Sequence, residues 1–151
     1  QATRVMSLRD GSKKMSKSDP SDYSRIMLTD SADNIAQKIK KAKTDPQPLP
    51  STKEDLKQRP EAENLISIFA SLQNSSIENI ISEYAGKEFS DFKRDLIDLS
   101  VSKLGPITTE MNKLMIDTSY IDSVLNDGKD KAINVAEPVL RKTKEIIGFL
   151  S

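Results

Sequence analysis

Apolar residues recur at helical spacing along most of the chain after residue 30. Ile35, Ile39 and Ala42 are separated by four and three residues. This spacing predicts an amphipathic helix with Asp30 as its N-cap residue, and it places lysines such as Lys38 away from the apolar face. The same kind of pattern continues towards the C-terminus.

Two further helices are predicted between the proline-rich segment 45–50 and Gly86. Prolines at alternate positions of that segment predict a stiff, extended connector. Pro60 suits the first turn of a helix whose apolar positions recur as far as Asn74. Ser76 is a suitable N-cap for a shorter helix, and Gly86 is a natural residue to close it.

The C-terminal third of the chain predicts a long helix from Ser90 and then two shorter elements. Apolar positions continue across Gly105–Pro106, which predicts one kinked helix or two abutting helices. A short helix over residues 119–125, a turn at Asn126–Gly128 and a last helix over residues 129–147 follow. The chain is therefore predicted to be mainly α-helical.

The first 28 residues depart from this pattern. Arg4–Leu8 predicts a short strand, and a loop rich in lysine and serine follows it as far as Pro20. Glycine at position 11 allows a sharp backbone turn at the start of the loop.

The composition excludes several kinds of chemistry. The chain has no cysteine and no histidine, so disulfides, thiolate metal sites, histidine zinc sites and imidazole proton transfer are excluded. No apolar run approaches the length of a membrane-spanning helix, so a soluble protein without a membrane partner is expected.

The formal net charge of zero conceals a gradient along the sequence. Residues 1–60 contain 13 Lys and Arg against 8 Asp and Glu, and the remainder contains 10 against 15. A basic excess near one loop attracts phosphate groups, whereas the acidic remainder argues against a general nucleic-acid coat.

The loop contains the sequence Lys-Met-Ser-Lys-Ser at positions 14–18. Lys14 and Lys17 carry compact charges on flexible stems, which suit a phosphate chain whose charge moves during a reaction. Ser16 and Ser18 add hydroxyl donors. The bland alternative is an ordinary solvated basic loop.

These residues resemble a known family. The pentapeptide is identical to the second signature of class I aminoacyl-tRNA synthetases. Four further segments are similar to tryptophanyl-tRNA synthetases of the bacterial and mitochondrial kind, and the resemblance covers nearly the whole chain: Arg4–Gly11, Lys40–Asp45, Gly105–Ile107 and Ile146–Leu150. Tyrosyl-tRNA synthetases usually depart from this pentapeptide, although a tyrosine-specific relative remains an alternative.

The resemblance implies two domains. Residues 1–28 would be the end of a Rossmann-like catalytic nucleotide-binding domain with its KMSKS loop, and residues 29–151 a helical bundle of the tRNA anticodon-binding type. The family's other signature needs histidine and is absent here. We therefore expect the C-terminal part of a longer polypeptide, starting at an internal cut and inactive by itself.

The resemblance also assigns an ATP site. Lys14 and Lys17 would be the catalytic residues, because they stabilise charge on the departing pyrophosphate. Mg²⁺ is expected to accompany ATP without identifiable ligands in this chain, and no other metal site is expected. The residues expected to bind ATP are Val5, Lys14, Met15, Ser16, Lys17 and Ser18.

The tRNA contacts are expected in two places. Lys43, Thr44 and Asp45 match a family pattern near the anticodon, and Lys129, Lys131 and Arg141 are candidates for backbone contacts on the last helix. Each basic residue has the alternative of being plain solvated surface, and Asp45 that of a turn residue before a proline.

The family activates tryptophan with ATP, releasing pyrophosphate, and transfers the adenylate's tryptophan to tRNA(Trp). The resemblance thus implies an enzyme whose tryptophan pocket lies outside this chain and whose full-length form is a homodimer. A bacterial cytoplasm is expected, with the mitochondrial matrix as the alternative. A noncatalytic RNA-binding module with a vestigial loop is the competing hypothesis.

Overall fold

A computed structural model describes residues 4–149 of the chain. Most of these residues are helical, which confirms the predicted mainly α fold class. The described residues form one 3₁₀ turn, Asp22–Ser24, and six α-helices: α1 (Ala32–Lys40), α2 (Lys53–Leu56), α3 (Pro60–Gln73), α4 (Ile77–Tyr84), α5 (Phe89–Ile116) and α6 (Thr118–Ile146).

The chain divides into two compact units, Gln1–Thr109 and Glu110–Ser151. Helix α5 runs from the first unit into the second. The predicted boundary after residue 28 concerns the domains of a longer protein and stays a prediction.

The core of the first unit is built around three aromatic rings from three helices. Phe69 on α3, Tyr84 on α4 and Phe92 on α5 lie 5.0 to 5.4 Å apart, centroid to centroid. Ile35 and Ile39 of α1 are fully buried in the same cluster. Four helices thus bury their apolar faces in one core, as their hydrophobic spacing predicts.

The start of α1 differs from the prediction. Ser31 is the N-cap residue, and its hydroxyl accepts a hydrogen bond from the amide of Asn34 at 3.2 Å. Asp30 is buried, where it accepts from the amide of Met27 at 2.8 Å and from the ammonium of Lys38 at 2.7 Å. Lys38, predicted to face away from the core, is only 3% exposed because this carboxylate neutralises its charge.

The strand predicted at Arg4–Leu8 is wrong. In the described part of the chain, this segment makes a single antiparallel bridge, from Met6 to Lys14. The hydrogen bonds on either side of this bridge pair residues 5–7 with residues 13–15, and the backbone turns back at Gly11–Ser12.

The C-terminal helices are longer than predicted. Helix α5 begins one residue earlier, at Phe89, and continues through Pro106. The predicted turn at Asn126–Gly128 is wrong, since α6 is helical throughout. Glycine inside a helix costs only about 1 kcal/mol, and the ion pair from Lys131 to Asp127 at 2.6 Å supports this turn of α6.

Helix α2 was not predicted from the sequence because four residues are too few to show a hydrophobic period. Its N-cap is Thr52, and its last residue, Leu56, is buried. Among residues 4–149, no helix combines the length and the apolar character needed to cross a bilayer.

Candidate functional site

The KMSKS loop continues from the second arm of a short hairpin. The amide of Ser7 donates to the carbonyl of Lys13 at 2.8 Å, and the amide of Met15 donates to the carbonyl of Val5 at 3.0 Å. Two of the predicted ATP-binding residues, Val5 and Met15, are therefore paired across the hairpin. The amide of Leu8 also donates to the carbonyl of Ser24 at 2.9 Å, which joins the first arm to the far end of the loop.

Asp10 organises the turn of the hairpin. Its carboxylate accepts from the Ser12 hydroxyl at 2.6 Å and the Ser12 amide at 3.1 Å, and it pairs with Lys13 at 3.2 Å. The Ser12 hydroxyl is the largest cause lowering the pKa of Asp10 to about 2, followed by the Ser12 amide and Lys13. Asp10 is therefore ionised at neutral pH and keeps Lys13 in the turn.

The pentapeptide itself presents two ammonium groups to solvent. Lys14 and Lys17 are exposed, and neither takes part in an ion pair within residues 4–149. The hydroxyls of Ser16 and Ser18 lie 3.0 Å apart, and the amide of Ser18 approaches the Ser16 hydroxyl at 3.3 Å. Met15 is half-buried against the core. This arrangement is suited to contacting an external anion.

The far end of the loop is attached to α1 by charge. The Arg25 guanidinium donates to the carbonyls of Asp19 and Ser21 at 2.8 and 3.3 Å. Asp22 pairs with Arg25 at 3.2 Å and with Lys38 at 2.9 Å. The sequence does not predict Arg25 or Lys38 as supports of the loop; the local signal for Lys38 is its position three residues after the core residue Ile35.

Gly11 touches the first turn of α3. A β-carbon at this position would lie 2.4 Å from the carbonyl carbon of Pro60 and 2.6 Å from the amide nitrogen of Glu61. Both neighbours are backbone atoms, so neither can rotate away. The hairpin turn therefore packs directly on α3.

We expect Gly11→Ala to lower the free energy of unfolding of the full-length protein by about 1–3 kcal/mol, the usual cost of forced overpacking. Thermal or urea unfolding measures the loss. Gly105→Ala is the matched control, because a β-carbon there meets no atom within 4 Å and alanine favours the helix. Equal stabilities for the Gly11 variant and the wild type would contradict the close packing.

The predicted tRNA residues of the first unit have partners within the protein. The Lys43 ammonium lies 2.8 Å from the carboxylate of Glu61, and this hydrogen bond raises the pKa of Lys43. Asp45 accepts two hydrogen bonds from Arg59, at 2.6 and 2.9 Å. Burial acts to raise the pKa of Asp45, but the Arg59 contacts outweigh it and leave that pKa below its ordinary value. Asp45 thus also has a structural role.

Thr44, the third predicted contact in that segment, is half-buried. It lines a basic cavity whose charged residues are Lys40, Lys93 and Arg94. The Thr44 hydroxyl therefore lies among cations, and the residues on either side of it form the ion pairs Lys43–Glu61 and Asp45–Arg59.

The predicted tRNA residues of the second unit lie on α6. Lys129 contacts the side chain of Asn126 at 3.2 Å, and Lys131 pairs with Asp127. Arg141 is exposed. Residues two positions apart on a helix do not share a face, so Lys129 and Lys131 point in different directions. Exposed pairs of this kind are weak and leave the cations available.

Comparison with known proteins identifies the family. The family described as "tRNA synthetases class I (W and Y)" matches residues 2–104. The chain belongs to this family. This match confirms the predicted resemblance, which rests largely on the pentapeptide and its flanking segments.

Curated members of the family are similar along nearly the whole chain. The tryptophan–tRNA ligase of Rhizobium meliloti (strain 1021) is 58% identical over 149 residues, which are 99% of this chain and 42% of that protein. The tryptophan–tRNA ligase of Rickettsia felis is 47% identical and matches 98% of this chain and 44% of its own length. The chain thus spans less than half the length of these relatives.

A solved synthetase has the same fold. The crystal structure of tryptophanyl-tRNA synthetase from Mycoplasma pneumoniae matches 98% of this chain and 46% of that one, with a TM-score of 0.71 and 25% sequence identity. The two chains therefore share their helical arrangement over the matched part.

Proposed function

We propose that the chain is the C-terminal part of a tryptophan–tRNA ligase and contributes its phosphate-binding loop and its tRNA-binding helices. The observation that carries the proposal is the exposed KMSKS loop, whose lysines at positions 14 and 17 face solvent without ion-pair partners in the described chain. The names of the similar bacterial proteins support tryptophan as the amino acid.

The proposed reaction begins when the carboxylate of tryptophan attacks the α-phosphorus of ATP. A bond forms from the carboxylate oxygen to phosphorus, the bond to the bridging oxygen breaks, and pyrophosphate leaves with additional negative charge. Lys14 and Lys17 contact that charge better in the transition state than in the ground state, which lowers the barrier. The adenylate then transfers its tryptophanyl group to a terminal hydroxyl of tRNA(Trp), and AMP leaves.

The other loop residues position the nucleotide. Val5 and Met15 are paired on the hairpin at 3.0 Å and flank the proposed adenine side. Ser16 and Ser18 present hydroxyls next to the two lysines. An open loop admits ATP and a closed loop brings the lysines to the phosphates, so loop movement is part of the cycle.

Mg²⁺ enters the proposal only as the counterion of ATP. The described residues contain no group of three or more His, Cys, Asp or Glu side chains arranged to hold a metal ion. No residue of this chain is therefore assigned to the ion, and the charge stabilisation assigned to this chain comes from its lysines.

The helical part is proposed to bind tRNA(Trp) through Lys43, Thr44 and Asp45 and through Lys129, Lys131 and Arg141. Unpaired anticodon bases can be read by a few polar side chains, while lysines and arginines contact phosphates. The full-length protein is proposed to be a homodimer, as the family resemblance implies. It is proposed to act in the bacterial cytoplasm, since the similar ligases are bacterial.

We expect Lys43→Met to weaken tRNA binding roughly three- to tenfold. The slope of the logarithm of affinity against the logarithm of salt concentration should fall by about one, as for the loss of one phosphate contact. Filter binding by the full-length protein at several salt concentrations measures both quantities. Lys53→Met is a matched control, because Lys53 is similarly exposed and also pairs with a glutamate, Glu78, at 2.6 Å. Equal effects from the two variants would contradict a specific contact at Lys43.

Charging of tRNA tests the proposal as a whole. The full-length protein is incubated with ATP, unfractionated tRNA and labelled tryptophan, and acid-precipitable label is counted. The proposal predicts ATP-dependent labelling of tRNA. Tight binding of tRNA without charging would instead favour the noncatalytic RNA-binding module.

A further inference from the structure

Asn64 is a buried amide that contacts the hairpin from helix α3. Asn64 is only 5% exposed. The amide oxygen accepts from the backbone amide of Met6 at 3.0 Å, and the amide nitrogen donates to the carbonyls of Met6 and Ser7 at 2.9 and 3.3 Å. One side chain thus supplies both the donor and the acceptor that a neighbouring strand would supply.

These contacts fix the arm that pairs with the KMSKS loop. Met6 bridges to Lys14, and Ser7 bonds to the backbone of Lys13 at 2.8 Å. The turn between the arms packs on α3 at Gly11, as described above. Helix α3 therefore contacts the hairpin at its first arm and at its turn.

Removal of the amide leaves specific groups without partners. Asn64 lies 58 residues from Met6 in the sequence, so these hydrogen bonds depend on the packing of α3 against the hairpin. The backbone amide and carbonyl of Met6 must then find water or shift, since buried polar groups without partners are strongly disfavoured. A shift of the first arm displaces the second arm, on which Lys14 lies.

We propose that Asn64 is a positioning residue for adenylate formation: it holds the hairpin so that Lys14 and Lys17 reach the phosphates of ATP. The proposal rests on the proposed function of the loop. Asn64 touches neither ATP nor the reacting atoms, and it acts only through the two lysines.

The test is a double-mutant cycle in the full-length protein, measured by tryptophan-dependent ATP–pyrophosphate exchange. Asn64→Ala is expected to lower kcat by about 10- to 100-fold, because a misplacement of about 1 Å costs up to about 100-fold. The KM for tryptophan is expected to stay within about twofold, since its pocket lies elsewhere. When Lys14 and Lys17 are both replaced by alanine, as one unit of the cycle, the same change is expected to cost less than about threefold.

Two further variants separate positioning from loss of stability. Thr108→Val removes another hydrogen bond from a buried residue to the backbone, from the Thr108 hydroxyl to the carbonyl of Leu28 at 2.8 Å, and should leave kcat unchanged. Asn64→Asp preserves the side-chain volume but turns the donor into an acceptor facing two carbonyls, so it should lose kcat at least as strongly. Rates are expressed per tryptophan-binding site counted by equilibrium dialysis, so that only folded protein is compared.

Additive losses from Asn64→Ala and from the combined Lys14 and Lys17 changes, or an unchanged kcat in both Asn64 variants, would overturn the positioning role and leave the proposed function intact. An equal loss of kcat in Thr108→Val would overturn it too. Absence of exchange in the wild-type protein would overturn the proposed function, and the positioning role with it.

Discussion

Lys17→Ala in the full-length protein is expected to lower the rate of tryptophan-dependent ATP–pyrophosphate exchange by about 100- to 1,000-fold. The ammonium of Lys17 is exposed and without an ion-pair partner in residues 4–149, so its charge is available to the leaving pyrophosphate. The contact strengthens as the bond to phosphorus breaks, and its loss raises the barrier more than it weakens ground-state binding. The dissociation constant for tryptophan should therefore remain within about twofold.

Lys13→Ala is the matched control for this experiment. Lys13 is exposed, like Lys17, but its ammonium pairs with Asp10 at the hairpin turn. Its removal should change the exchange rate by less than about threefold, as is usual for exposed pairs. Equal rates for the Lys17 variant and the wild type would contradict the assignment of the loop.

The second large effect is expected in the core. Phe92→Ala should lower the free energy of unfolding by about 3–5 kcal/mol. Phe92 is completely buried, and its ring lies 5.2 Å from that of Phe69 and 5.0 Å from that of Tyr84. Three helices meet at this side chain, so the cavity cannot close without moving one of them. Urea unfolding followed by helical circular dichroism measures the change.

Phe92→Leu provides the graded comparison, because leucine retains much of the volume and should cost clearly less than alanine. An alanine variant as stable as the wild type would show that the three rings do not form the centre of the core.

The helices best predicted from the sequence have strong local signals at both ends. Helix α3 begins at Pro60, as predicted, and ends before Asn74, which adopts the left-handed conformation with φ of 55°. Helix α4 is capped by Ser76, whose hydroxyl accepts from the amide of Asn79 at 3.1 Å. Periodicity and end signals agree in these helices, so one sequence was sufficient to place them.

In each wrong prediction, a local sequence signal is outweighed by contacts formed in the folded chain. The position of Asp30 favours a helix cap, but its carboxylate is occupied by Lys38, eight residues away. The Asn-Asp-Gly signal at residues 126–128 favours a turn, yet α6 continues through it with support from the Asp127 pair. Turn propensity is a weak prior beside a long helix.

The residues proposed for the site could be named from the sequence, whereas the residues that support them could not. The pentapeptide and the four further similar segments indicated the family, and the pentapeptide contains the two lysines. Asn64 and Lys38, which hold the two ends of the loop region, contact it from helices distant in sequence. Such pairings arise only when helices pack, and a single sequence contains no record of them.

We propose that this chain supplies the phosphate-binding loop of a tryptophan–tRNA ligase. Exchange of labelled pyrophosphate into ATP by the full-length protein tests it most directly, with tryptophan and tyrosine compared at equal concentration. We expect rapid exchange with tryptophan and background exchange with tyrosine. Exchange with tyrosine alone, or with neither amino acid, would contradict it.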